Sequence, residues 1–234
     1  MIYNMDFLIS AMVILLLILW HFLGQKRAED LNNRVFLFFA VLGTADVVAE
    51  FFTNYYITSY NSDMENAAVI VTTIFYLLQA LLPVTFIFYI QTLHEQKIIS
   101  AKKMFISGVP TLVLISVILT NPFTEKLFSF DVTAGYVKGP WYLLMYVSAL
   151  GHFAVALLLI LLWRKKLGPQ KEKILLEIFV ISGVGVVLQM FCQSLLMTGF
   201  GMSLGILALF ITINNPNANL DSLTGLYNHL YLTR

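Results

Sequence analysis

The sequence predicts an all-α membrane protein: seven transmembrane helices, the N-terminus outside, the C-terminus cytoplasmic, and a short external β-hairpin between helices 4 and 5. Three observations carry that prediction. First, 59% of the 234 residues are hydrophobic and 12% are charged, against roughly 45–50% and about 25% in a soluble domain. Second, the apolar residues are gathered in runs of span length. A helix needs about 20 of them to cross a bilayer, and the total suffices for seven. Third, Lys and Arg concentrate in alternate loops. The same figures exclude other classes. A formal net charge of +1 gives no electrostatic footprint for nucleic acid. Cys192 is the only cysteine, which leaves no disulfide framework and no Cys-based zinc site. The solid apolar runs lack the alternation of a β-barrel.

Each element follows in order. The first span, 6–23, is preceded by a start without a cationic n-region, so it reads as an uncleaved anchor. The loop 24–33, with Arg34 at its end, carries Lys26, Arg27 and Arg34. The second span, 34–52, contains Asp46 and Glu50, and the loop 53–66 has no cation but carries Asp63 and Glu65. The third span, 67–93, contains Pro83, which removes a backbone donor and kinks the helix. Lys97, Lys102 and Lys103 lead into the fourth span, 104–120. Residues 127–131 and 135–142 alternate around Thr133-Ala134-Gly135, the pattern of a hairpin. Pro140 suits the first turn of the fifth span, 140–163. That fourth loop holds just Lys126 and Lys138, whereas the fifth holds Arg164, Lys165, Lys166, Lys171 and Lys173. The odd loops are therefore cytoplasmic. Residues 174–213 are almost continuously apolar and about twice one span in length. They divide into 174–194 and 198–214, with the turn expected at Thr198-Gly199-Phe200-Gly201 because glycine accepts turn conformations. Trp20, Trp141 and Trp163 fall near span ends, where an indole sits at the headgroup level.

Polar groups inside spans are costly and are therefore functional candidates. Asp46 and Glu50 are four apart and share a helix face. No Lys or Arg within a span neutralises Asp46, so it must be protonated, hydrogen-bonded, wet or paired with a ligand cation. Gln79 and His152 lie near mid-depth, Tyr76 one turn before Gln79, Tyr142 and Tyr146 on the outer side of His152, and Gln189 and Gln193 in the outer half of the sixth span. Each alone reads as interhelical glue. Their shared depth, against nearly aliphatic inner halves of spans 1, 4 and 7, predicts one outward-opening cavity with Glu50 at its mouth. Carboxylate, amide, imidazole and phenol together suit a small polar or amphipathic ligand, a cation included. His21, His94 and His229 lack the i, i+4 partner of a helical metal site, so no metal is expected. Gly183 and Gly185 read as close helix packing.

The most informative soluble stretch follows the last span. Pro216 and its flanking asparagines end the helix, and then comes Asp221-x-Leu223-Thr224-Gly225-Leu226-x-Asn228. This resembles the D-x-L-T-G-L-x-N-R opening of GGDEF domains, the diguanylate cyclase catalytic domains, with His229 where that family has arginine. The hairpin before the fifth span is also similar to one in the seven-span sensor regions that precede bacterial histidine kinases and cyclases. The resemblance implies a seven-helix sensor domain over 1–214 and, over 215–234, a linker with the first residues of a truncated GGDEF domain. The signature Gly-Gly-Asp/Glu-Glu-Phe loop does not occur, so no catalytic residue and no cofactor is expected in this chain. Mg²⁺ and GTP belong to the cyclase domain of a larger parent, where two facing domains imply a homodimer. The expected function is a sensory input module in a bacterial cytoplasmic membrane, regulating cyclic di-GMP synthesis. A small-molecule transporter or channel is the alternative.

Overall fold

The computed structural model describes residues 5–25, 30–95, 101–131 and 133–213. The tail motif at 221–228 and the loop cations Lys26, Arg27 and Lys97 lie outside them. Among the described residues the elements are α1 (Asp6–Gly24), α2 (Leu31–Thr58), a short 3-10 turn (Ser62–Met64), α3 (Glu65–Glu95), α4 (Ala101–Thr124), β1 (Phe128–Asp131), β2 (Gly135–Lys138), α5 (Leu143–Leu167), α6 (Pro169–Phe191), a second 3-10 turn (Gln193–Leu195) and α7 (Met197–Ile213). Six of the helices are long and apolar enough to cross a membrane, and α7, at 17 residues, is apolar but shorter. Large apolar side chains face outward: Phe123 is 90% exposed, Trp20 and Phe191 78%, and Leu162 74%. A surface of that kind requires lipid, and the chain is a multi-helix membrane protein.

Local chemistry sets the helix ends. Asp30 caps α2 by accepting the Asn33 backbone N–H at 2.8 Å. Gly168 takes the positive φ of +79° between α5 and α6, and Pro169 follows at the first helical position, where its missing donor costs nothing. Several helices outrun the apolar windows that predict them. Helix α2 continues six residues past the expected end at 52, so Thr53 and Asn54 are helical and buried instead of belonging to a loop. Helix α5 begins at Leu143, three residues after the Pro140 expected to open it. The hairpin pairs Phe128 with Lys138, Ser129 with Val137, Phe130 with Tyr136 and Asp131 with Gly135.

The reversal between the last two helices is not where the glycines suggest. It lies at 192–196, where the 3-10 turn ends on Leu196 in the left-handed conformation, φ 49°. Gly199 and Gly201 stand inside α7 and serve close packing. A Cβ at Gly201 would lie 3.1 Å from the Ile181 carbonyl oxygen, and one at Gly199 2.9 Å from Glu50 Oε2. Gly43 faces Ile206 and Met202 in the same way, so α7 runs antiparallel to both α2 and α6. Leu8, Leu15, Phe36, Val47, Ile160, Leu175 and Ile206 fill one continuous core between the helices, and Phe75, Ile118, Leu127, Phe128 and Met145 fill a second under the hairpin.

Of the two α6 glycines, just Gly185 packs closely. Its missing Cβ would stand 2.9 Å from the Met197 carbonyl oxygen, whereas Gly183, on the other side of the helix, meets nothing within 4 Å. Gly185→Ala is therefore expected to destabilise the protein by about 2 kcal/mol. Gly183→Ala should be neutral or stabilising by up to about 1 kcal/mol through helix propensity. Thermal unfolding of the two variants in detergent checks this, and equal effects would contradict the α6–α7 interface.

Candidate ligand site

A cavity of about 150 Å³ lies among α2, α3, α5, α6 and α7, with β2 at one end. Its polar wall is built from Glu50, Thr53 and Asn54 of α2, Thr72, Tyr76 and Gln79 of α3, Tyr136 and Lys138 of β2, Tyr142 and Tyr146 of α5, Gln189 of α6 and Thr198 of α7. Its other end is apolar, with Phe39, Phe86, Ile178 and Met202. Phe39 and Phe86 stack there with ring centroids 6.1 Å apart. Pro83 also lines the cavity from within α3.

Glu50 is 1% exposed, deep in the wall and not at its mouth. The Gln189 amide donates to Glu50 Oε1 at 3.3 Å, and Gln189 Oε1 accepts the Thr198 backbone N–H at 2.6 Å. Thr198 is the second residue of α7, one of the helix-start N–H groups with no intrahelical acceptor. One amide thus ties the α2 carboxylate to the start of α7. The absent side chain of Gly199 leaves room for Glu50 Oε2.

Most helical threonines in this protein donate their hydroxyl to a backbone carbonyl a turn earlier, as Thr44, Thr58, Thr73, Thr85 and Thr212 do. Thr53 and Thr72 do not: both are buried, and neither Oγ1 has a hydrogen-bond partner.

The hairpin closes the polar end with aromatic contacts. The Tyr76 and Tyr136 hydroxyls are hydrogen-bonded at 2.7 Å, Phe128 meets Tyr76 edge-on at 5.3 Å and stacks on Tyr136 at 6.2 Å, and the Tyr142 and Tyr146 rings meet edge-on at 5.6 Å. Lys138 Nζ lies 4.6 Å from the Tyr142 ring centre, and Lys126 Nζ 4.2 Å from that of Trp141. Asn121, buried at the end of α4, accepts the Leu127 N–H at 2.7 Å and donates to the Phe128 carbonyl at 2.9 Å.

At the hairpin tip, Asp131 accepts bonds from the Thr133 hydroxyl and from the Ala134 and Thr133 backbone N–H groups, which hold its carboxyl below the ordinary range. A lowered folded pKa contributes stability that is present above the unfolded value near 3.8 and is lost as pH falls through the folded one. Amide protection at Thr133 and Ala134 is therefore expected to stay constant from neutral pH to about pH 5 and to fall only in stronger acid. Loss of protection between pH 7 and 5 would contradict this.

The structure brings six of the nine expected residues to one cavity: Glu50, Tyr76, Gln79, Tyr142, Tyr146 and Gln189. Asp46 is 1% exposed, does not line the cavity, and has an unpartnered Oδ1. His152 is also outside the lining. Its Nδ1 donates to the Ser148 carbonyl at 2.7 Å, which leaves Nε2 to accept the Thr111 hydroxyl at 2.9 Å. The ring is thereby satisfied as a staple between α4 and α5. The Gln193 side chain lies outside the described residues. Sequence reasoning missed Thr53, Asn54, Thr72, Tyr136, Lys138 and Thr198. Thr53 had a usable signal, being three residues from Glu50 on the same helix face. Thr72 had none. Among the described residues no group of three or more His, Cys, Asp or Glu could hold a metal ion. No protein-family model, curated protein or solved structure matches the chain.

Proposed function

We propose that this chain is the sensory module of a bacterial signalling protein. It sits in the cytoplasmic membrane as seven spans, with the N-terminus and the hairpin outside and the C-terminus inside. A small extracellular or membrane-derived ligand enters the cavity from the hairpin side and regulates a cytoplasmic diguanylate cyclase that begins within 215–234. The parent acts as a homodimer, its cyclase domains using Mg²⁺ and GTP. The observation that carries the reading is the Glu50–Gln189–Thr198 chain of contacts. It joins the cavity wall to the start of α7, the helix that leads into the GGDEF-like tail. A ligand shifts an equilibrium only by its differential affinity for two states. One that engages Glu50 competes for the bond that holds the start of α7. The apolar far end of the cavity, at Phe39 and Phe86, favours a sensor over a conduit.

The test uses the full-length parent in cells. Residues are inserted one at a time after Pro216, and cyclic di-GMP is measured. Rigid transmission through α7 gives activity that varies irregularly along the series; a flat series contradicts it. Tags at the N-terminus and in 53–66 should be reached from outside, and tags in 164–173 only after permeabilisation. An externally accessible 164–173 loop overturns the orientation.

A further inference from the structure

Resting on the sensor reading above, we infer that the cavity takes a small primary amine, its ammonium group seated between Glu50, Thr53 and Thr72 and its apolar body directed toward Phe86, Ile178 and Met202. Three groups of the right kind line the cavity at nearby depths. Thr53 lies five residues before the end of α2 and Thr72 seven residues after the start of α3. At 1.5 Å per residue both are roughly 8–10 Å from the helix ends joined by the 59–64 connection, and Glu50 is roughly 12 Å from the same end. All three line the cavity and are at most 3% exposed. Glu50 Oε1 is occupied by Gln189, but no residue forms a salt bridge with the carboxylate among the described residues.

The unpartnered hydroxyls identify the head group. A buried polar atom without a partner is costly, and each of these two threonines has forgone the backbone bond that its neighbours make. An ammonium –NH₃⁺ carries three donors and no acceptor. Glu50 and the two threonine oxygens offer it three acceptors and one compensating negative charge. A quaternary ammonium has no donor and would leave both hydroxyls orphaned. A carboxylate would meet the charge of Glu50. The volume, about 150 Å³, matches the scale at which an apolar protein cavity of ~150 Å³ holds benzene, so the body is one ring or a short alkyl chain.

The experiment measures binding of 2-phenylethylamine, its N,N,N-trimethyl derivative and 3-phenylpropionate to the purified 234-residue protein in nanodiscs. Thr53→Val, Thr72→Val and Thr72→Ser are measured beside the wild type. The expected result is that the primary amine binds at least about tenfold more tightly than the other two, about the worth of a hydrogen bond to a charged group. Each valine variant should lose about tenfold for the primary amine and nothing for the trimethyl compound. Thr72→Ser, which keeps the hydroxyl, should restore binding, and that rescue separates a lost contact from a misfolded wall. Tighter binding of the carboxylate, equal binding of the two amines, or no binding of any probe overturns the amine assignment. The sensor reading fails separately: its test is the insertion series in the full-length parent, which does not depend on which probe binds.

Discussion

Gly139→Ala is expected to destabilise the protein by about 3 kcal/mol, at the upper end of what inserting a single carbon into a packed site costs. An added Cβ would stand far inside contact distance of the Lys126 carbonyl oxygen and carbonyl carbon. Both are backbone atoms, so no side-chain rotation relieves the clash. The Gly139 N–H bonds the Leu127 carbonyl at 2.9 Å and the Trp141 N–H bonds the Lys126 carbonyl at 2.8 Å, so the residue cannot move away without breaking the base of the hairpin. The consequence reaches the cavity, because Tyr136 and Lys138 enter its wall from the strand that ends one residue earlier. Thermal unfolding measures the stability, and reactivity of a cysteine at Gln79 toward a soluble maleimide measures the opening. Gly151→Ala is the control, since nothing lies within 4 Å of its missing Cβ. If Gly139→Ala melts with the wild type and leaves residue 79 protected, the hairpin does not close the cavity.

Glu50→Gln is expected to weaken binding of 2-phenylethylamine by about 100-fold, the upper range for losing a hydrogen bond to a charged partner, while Asp46→Asn changes it less than about threefold. Both carboxyls are buried four residues apart on α2. They differ in what they face. Glu50 is in the cavity wall beside Gln189; Asp46 is not in the wall. The two amides keep volume nearly constant, so titration calorimetry of both variants compares charge at two neighbouring positions. Loss of binding in Asp46→Asn with retention in Glu50→Gln would move the head-group site one turn along α2.

How far the site was legible in the sequence follows from what a helix fixes. Three and four residues along a helix is one turn, so Asp46 and Glu50 were known to share a face, and Tyr142 and Tyr146 likewise. The mid-depth place of Gln79 and the outer-half place of Gln189 followed from counting 1.5 Å per residue from the polar loops. A shared face does not say where along it a cavity wall ends, and the tertiary packing, which puts Glu50 in the wall and leaves Asp46 one turn away outside it, decided that. It also decided the fate of His152, whose hydroxyl partner Thr111 comes from a helix 41 residues away in sequence. Lys138 and Tyr136 were legible as part of a hairpin but not as part of a wall, because the hairpin's place on α3 depends on the Tyr76 and Phe128 contacts.

The sequence by itself determined the solvent in which this protein folds, the apolar helices, the hairpin and the short list of polar residues that needed a reason to be buried. These follow from composition and period, which are local properties of the chain. The tertiary structure alone decided where α6 ends and α7 begins. Glycine permits a turn but equally permits two backbones to approach, and the chain uses Gly199 and Gly201 for the second purpose while Leu196 adopts the left-handed turn conformation. It alone decided which threonines keep a free hydroxyl, because a helical Thr can always satisfy itself on its own backbone. Whether it does so depends on how the neighbouring helices pack around it, and Thr53 and Thr72, both in the cavity lining, keep hydroxyls without a partner.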